Sequence, residues 1–261
     1  MNTFNLLKLI WTHPSEVTAR FESVFDSRLE RIRVRSADYE CSDLPVVTEC
    51  LWKCCELEIT PHLSEPAVAE IENEVKARIE MLPLGAPFAM FQNGDFKLAR
   101  LAYALCRARR PQYIIETGVC YGVTTAFLLK AIERNGCGEL HSIDLPALGK
   151  NVETYVGALV PSALKGTWRL HRGTSKTLLP KLLKQLGYVD MFIHDSLHTY
   201  RNMRREFQTV TPFLRSGAVV LSDDVECNAA FSDWTRSIQP RYHAVLREES
   251  KPGLTGLLAL S

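Results

Sequence analysis

The chain has 261 residues, 46% of them hydrophobic, enough to fill the core of one sizeable α/β domain with an added segment, or of two small domains. Lysine and arginine total 31 against 30 acids, a net charge of +1, so no overall field gathers a polyanion, which argues against a nucleic-acid partner and for a small molecule. No stretch approaches the roughly 20 apolar residues that span a bilayer, so the expectation is a cytoplasmic protein with no membrane partner.

In chain order, the apolar run from Phe4 to Trp11 is short, contains Lys8, and lacks both a basic leader and a small-residue cleavage site; it reads as part of a helix. The eight cysteines lack the density of a secreted disulfide scaffold. Cys41, Cys50, Cys54 and Cys55 cluster, but they form no C-x2-C pair, and Cys50, Leu51, Cys54 and Cys55 follow the spacing of one buried helix stripe. Val68, Ile71, Val75 and Ile79 recur at steps of three and four, which predicts an amphipathic helix over Glu65 to Met81 with Ser64 as its N-cap. Pro83, Gly85 and Pro87 interrupt the pattern, and Asp95 caps a helix running through Arg110 to Pro111. Residues 1–95 therefore read as a helical appendage, a cap or a surface for forming a homo-oligomer, and 96–261 as the main domain.

From Tyr113 short apolar runs alternate with helical segments, the pattern of βαβ units. Strands are expected at Tyr113 to Thr117, Leu140 to Asp144, Trp168 to His171, Val189 to His194 and Ala218 to Ser222. Tyr242 to Arg247 and Leu257 to Leu260 add an antiparallel hairpin at the edge. The fold class is thus α/β, a doubly wound, Rossmann-like sheet, mostly parallel with an antiparallel C-terminal edge.

Ligands of such a sheet bind beyond the carboxyl ends of its strands. After the first strand come Glu116, Gly118 and Gly122, with Tyr121 on the same turn and a helix starting near Thr124. Glycines let this backbone turn sharply, and the free N–H groups of a helix start favour an anionic group. Cys120 stands where a dinucleotide fingerprint has its second glycine, which counts against a nicotinamide oxidoreductase. Asp144, ending the second strand, suits the two hydroxyls of a ribose. Thr174 or Ser175 caps the helix after the third strand and could close over an adenine. Asp190, Asp195 and His198 surround the fourth strand's end, and Asp223 and Asp224 follow the fifth. If these ends lie side by side, Asp195, Asp223 and Asp224 bring three carboxylates into one crevice. That needs protons or a hard divalent cation such as Mg2+, and His198 would then be a general base beside it.

At Glu116-Thr-Gly-Val-Cys-Tyr-Gly122, His141-Ser-Ile-Asp144, Val189 to Tyr200 and Gly217 to Asp224 the chain resembles the class I S-adenosylmethionine (SAM)-dependent methyltransferases. Among them it is similar to the small-molecule O-methyltransferases related to the macrocin and mycinamicin sugar enzymes and to cephalosporin hydroxylase-like proteins. The resemblance covers about Phe96 to Leu260. It implies that Glu116, Gly118, Tyr121 and Gly122 form the SAM turn, that Thr124 lies near the methionine carboxylate, and that Asp144 holds the ribose. It also implies a metal triad of Asp195, Asp223 and Asp224, with His198 as base. Asp195 is followed by Ser196-Leu197 where the pattern more often reads Gly-Asp, so this loop differs in shape and polarity. The implied reaction is in-line transfer of a methyl group to an oxygen of a sugar, polyketide or other secondary metabolite; carboxyl or nitrogen methylation without a metal is the alternative.

Overall fold

A computed structural model of the chain describes residues 14–32, 36–146, 149 and 151–261; the helix expected within Met1 to Trp11 lies outside them. Seven strands form one sheet: β1 (Tyr113–Thr117), β2 (Glu139–Asp144), β3 (Trp168–Arg172), β4 (Val189–His194), β5 (Leu214–Ser222), β6 (Tyr242–Arg247) and β7 (Leu254–Ala259). Their order is β3-β2-β1-β4-β5-β7-β6. β1 to β5 pair in parallel, and β7 enters antiparallel between β5 and β6. The expected sheet class is the one observed.

The helices are α1 (Pro14–Ile32), α2 (Leu44–Cys55), α3 (Thr60–Leu63), α4 (Pro66–Glu80), α5 (Phe96–Arg109), α6 (Val123–Asn135), α7 (Ser175–Leu186), α8 (Tyr200–Val210) and α9 (Ala230–Ile238). Successive strand residues face opposite sides of the sheet, and here both sides are covered. Ile114, Met191, Ile193 and Leu221 join one core with α2, α4, α5 and α6, whereas Ile115, Phe192 and Val220 join a second with α7, α8 and α9. Burial on both faces explains why the central strands read as continuous apolar runs.

Val47 and Leu51 of α2 and Val68, Ile71 and Val75 of α4 lie in the same core as Leu98 and Phe127. Residues 44–80 are therefore built into the sheet's own packing. α4 starts one residue later than its periodicity suggests: Glu65 is its N-cap and Pro66 its first residue, a position that needs no N–H donor. The Ser64 hydroxyl instead donates to the Pro61 carbonyl at 3.2 Å. Asp95 caps α5 as expected, accepting from the Lys97 N–H at 2.8 Å. Leu51 is fully buried while Cys50, Cys54 and Cys55 are half-buried, and among the described residues no metal-ligating group forms there.

Candidate active site

The strand order reverses between β1 and β4, so a crevice opens beyond their carboxyl ends. Gly118 lets those ends meet. It turns with φ +85°, and a Cβ there would stand 1.8 Å from the Asp195 carbonyl oxygen. Gly122 turns with φ +93° and opens α6, and Cys120 between them holds φ +52°, a left-handed conformation that strains a residue with a side chain. The Asp144 carboxylate ties the turn down: its Oδ2 accepts from the N–H groups of Val119 at 2.7 Å and Cys120 at 3.2 Å. Burial nonetheless pushes this carboxyl above its usual range.

A cavity of about 590 Å3 lies against this turn, within the roughly 300–1,000 Å3 of small-molecule sites. Gly118, Val119, Cys120 and Asp144 form one wall, Gly173 to Lys176 another, and Asp195 to Leu197 a third. Arg20 and Val24 of α1 close it from above. Of the residues expected to bind a cofactor, Gly118, Asp144, Thr174 and Ser175 line this space, together with Asp195.

Glu116, Tyr121, Gly122 and Thr124 are not among the lining residues. Glu116 is 1% exposed beneath the turn, accepting from Ser142 Oγ at 2.6 Å and Thr125 Oγ1 at 2.8 Å, and burial raises its carboxyl to about 7. It joins β1, β2 and α6 from below. Tyr121 is fully buried; its hydroxyl donates to the Phe88 carbonyl at 2.9 Å and its backbone N–H to Asn93 Oδ1 at 3.2 Å, which pins residues 88–93 over the turn. Thr124 is buried, its hydroxyl has no partner, and Gly94 packs against it.

Beyond the cavity the expected triad forms instead as two groups that overlap at Asp223. The Asp195 N–H donates to the Thr117 carbonyl at 2.8 Å and the Asp223 N–H to that of His194 at 2.9 Å, so the ends of β1, β4 and β5 lie side by side. His198 Nε2 stands 3.7 Å from Asp195 Oδ1 and 3.9 Å from Asp224 Oδ2. Asp195, His198 and Asp223 each offer an atom within 4.8 Å of the others, as do Asp223, Asp224 and Glu248. Asp223 is shared by both groups. Asp190, by contrast, is the second residue of β4 and lies at the opposite end of the sheet, accepting from the N–H groups of Gln112 and Tyr113 at 2.8 and 3.1 Å.

Charge in this cluster is strongly coupled. Burial opposes an imidazolium at His198, but Asp195, Asp224 and Asp223 outweigh it and raise the ring to about 9. Burial and the Asp223 charge lift Asp195 well above the usual carboxylate range. Burial also acts on Asp223, yet Glu248, His198 and Lys251 prevail and hold it low. Glu248 takes the opposite course, pushed by burial and Asp223 up to about 10.

Two features escape a reading of the sequence. Lys251, in the β6–β7 turn, places its ammonium 2.9 Å from Asp223 Oδ2, 3.1 Å from Asp224 Oδ1 and 3.6 Å from Glu248 Oε2. Its only local signal is a charged run, Glu248-Glu249-Ser250-Lys251, in a segment that reads as a turn. The other is Glu206 of α8, 1% exposed, which accepts from Thr117 Oγ1 at 2.6 Å, Ser196 Oγ at 2.8 Å and Asn202 Nδ2 at 3.1 Å, with His194 Nδ1 at 2.7 Å. This network fixes the loop that carries Asp195 and His198.

Residues 115–225 match the model of a family described as a methyltransferase domain. The SAH-bound methyltransferase of Podospora anserina shares the fold at 12% identity and a TM-score of 0.53, over 86% of this chain and 100% of that one. The O-methyltransferase TomG of Streptomyces achromogenes, solved with SAM and involved in tomaymycin synthesis, is 17% identical over 83% of this chain and 96% of that one, with a TM-score of 0.49. No curated protein matches the sequence. The matched segment runs from β1 to the residues just after β5, the parallel part of the sheet. The chain is thus similar to methyltransferases in this segment and shares its fold with an SAH-bound enzyme of that class.

Proposed function

We propose that the protein transfers a methyl group from SAM to an oxygen of a small molecule, a hydroxyl of the sugar or polyketide type. The observation that carries this reading is the cavity against the Gly118–Cys120 turn, whose lining includes both Asp144 and Asp195. Asp144 spends only Oδ2 on the turn, which leaves Oδ1 for a ribose hydroxyl. Thr174 and Ser175 would bound the adenine, and the unpartnered Thr124 hydroxyl behind the turn is a donor suited to the amino-acid end. Glu116, Tyr121 and Gly122 act from beneath by holding the turn in shape. SAM, when bound, supplies the electrophilic methyl group.

Asp195 links the cofactor cavity to the second cluster, where the acceptor hydroxyl would lie. Alignment of the reacting atoms accounts for the largest part of such a transfer, about 7–11 kcal/mol for well-held reactants. The donor set also suits a hard divalent ion such as Mg2+ on either side of Asp223: Asp195 with His198, or Asp224 with Glu248, would complete its ligands, and Asp223 Oδ1 is buried with no N–H or hydroxyl donor. Such an ion would lower the pKa of the acceptor hydroxyl. His198, raised to about 9 by the surrounding carboxylates, holds its own proton at neutral pH. It becomes a base only where another cation neutralises those acids, so base and ion are one requirement. Methylation without a metal is favoured by a specific observation of its own, the Lys251 ammonium within the cluster.

Calorimetric titration with SAM and SAH tests the cofactor. Both are expected to bind, NADH is not, and Asp144→Asn should weaken SAM at least tenfold. Absence of SAM binding by the intact protein would overturn the proposal.

A further inference from the structure

Two groups of side chains meet at Asp223 near the end of β5, Asp195 and His198 on one side and Asp224 and Glu248 on the other, and the charge that answers Asp223 and Asp224 comes from the chain itself. The Lys251 side chain is 15% exposed, and its ammonium meets both aspartates within hydrogen-bond distance. An ammonium on a flexible stem usually reaches an acid at the surface, where the pair contributes little. Here the backbone leaves it no such freedom. Asp95, 2% exposed, accepts from the N–H groups of Glu249 at 3.3 Å and Ser250 at 2.8 Å and from the Ser250 hydroxyl. On the far side of the turn the Leu254 N–H donates to Glu226 Oε2 at 2.8 Å. The turn is so closely laid on the cluster that a Cβ at Gly253 would stand 2.3 Å from Glu248 Oε2 and 3.0 Å from Asp224 Oδ1.

We propose that Lys251 is the resident cation of the acidic cluster, and that a divalent ion occupies it only by displacing this ammonium. The inference rests on the reading of Asp195, Asp223 and Asp224 as ion ligands. Asp223 is the pivot, since it belongs both to the group with Asp195 and His198 and to the group with Asp224 and Glu248. An ion on either side of Asp223 must share that carboxylate with Lys251 or expel it. Asp223, 1% exposed, also keeps its Oδ1 buried with no N–H or hydroxyl donor, a ligand atom beyond the Oδ2 that the ammonium uses. A lysine in this seat lets the fold tolerate the clustered acids while the ion is absent, and sets a threshold concentration for the ion's entry.

The test is a Mn2+ titration of the metal-stripped full-length protein, by calorimetry and by loss of the free Mn2+ electron paramagnetic resonance signal, for wild type, Lys251→Met and Lys251→Arg. Lys251→Met should bind Mn2+ at least tenfold tighter than wild type, and Lys251→Arg should stay within about threefold of it. Lys251→Gln, which keeps an N–H donor without the charge, gives the same reading if the methionine variant is unstable. Equal or weaker Mn2+ binding by both neutral variants would overturn the proposal, as would Mn2+ binding by no form of the protein. SAM titrated into the same samples separates the two failures: loss of SAM binding throughout counts against the methyltransferase site, whereas intact SAM binding with unchanged Mn2+ affinity counts against Lys251 alone.

Discussion

Glu116 shows how a single side chain can carry a pH dependence without touching the ligand. Its carboxyl is buried beneath the Gly118–Gly122 turn and raised from an ordinary 4.5 to about 7. The folded protein therefore holds a proton there between pH 4.5 and 7 that the unfolded chain has released, so this group's contribution falls as pH rises through that window and is fully unfavourable above about 7. A shift of this size corresponds to a loss on the order of 3 kcal/mol. Glu116→Gln keeps an acceptor for Ser142 and Thr125 but cannot ionise. Its melting temperature should change less between pH 5 and 8 than that of wild type, and parallel curves for the two proteins would show that Glu116 does not titrate as described. Gly118 is the second such residue. With its missing Cβ lying 1.8 Å from a carbonyl oxygen and φ at +85°, Gly118→Ala must move either β1 or the Asp195 loop. A destabilisation of about 2–3 kcal/mol by urea denaturation is expected, with loss of SAM binding.

At the level of elements, the junction between β4 and α8 determines where Asp195 and His198 stand. Glu206→Ala would leave Thr117, Ser196, Asn202 and His194 without their common acceptor in a dry interior. Removing one partner of a buried charged network costs about 3–5 kcal/mol, so a large fall in melting temperature is expected, with disordering of Ser196 and Leu197 by hydrogen exchange. How much of this was readable varies with the range of the interactions. The bounds of β1, β4 and β6 match the apolar runs because burial on both faces leaves a local trace. β5 begins at Leu214, earlier than the expected Ala218, because Arg215, Ser216 and Gly217 hide its start and the pairing with β4 slips after Val189. The approach of Asp195 to Asp223 was legible since parallel neighbours end together, while Asp224 groups with Glu248 instead of Asp195. Lys251 was not, because nothing local tells that a hairpin at the sheet's edge folds its turn back over β5. Tyr121 read as a ligand contact for a related reason: position on the turn is visible in the sequence, while the side of the turn a ring packs against is decided by Phe88 and Asn93, some thirty residues away.

Across the whole molecule, α1 has an unusual relation to the rest. It meets the body through its polar side: Glu16 accepts from Arg172 at 2.6 Å, Asp26 pairs with Arg201 at 3.0 Å, Glu22 with Lys176 at 2.6 Å, and Glu30 accepts from the Tyr200 N–H at 2.9 Å. Phe21, Phe25 and Ile32 are left 68%, 58% and 79% exposed. Hydrophobic burial thus contributes little to holding a helix whose Arg20 and Val24 close the cavity. Ion pairs near the surface are screened by salt, with a Debye length of about 3 Å at 1 M against about 10 Å at 0.1 M, whereas the two cores are not. Raising sodium chloride from 0.1 to 1 M should therefore speed amide exchange in α1 severalfold while leaving β1, β4 and α6 unchanged, and Arg172→Ala should produce the same local effect at low salt. SAH added at saturation should slow exchange in α1 again, because a filled cavity gives Arg20 and Val24 a surface to rest on. If α1 exchanges at the same rate in both salts, its docking is not electrostatic, and the helix belongs to the rigid frame of the site.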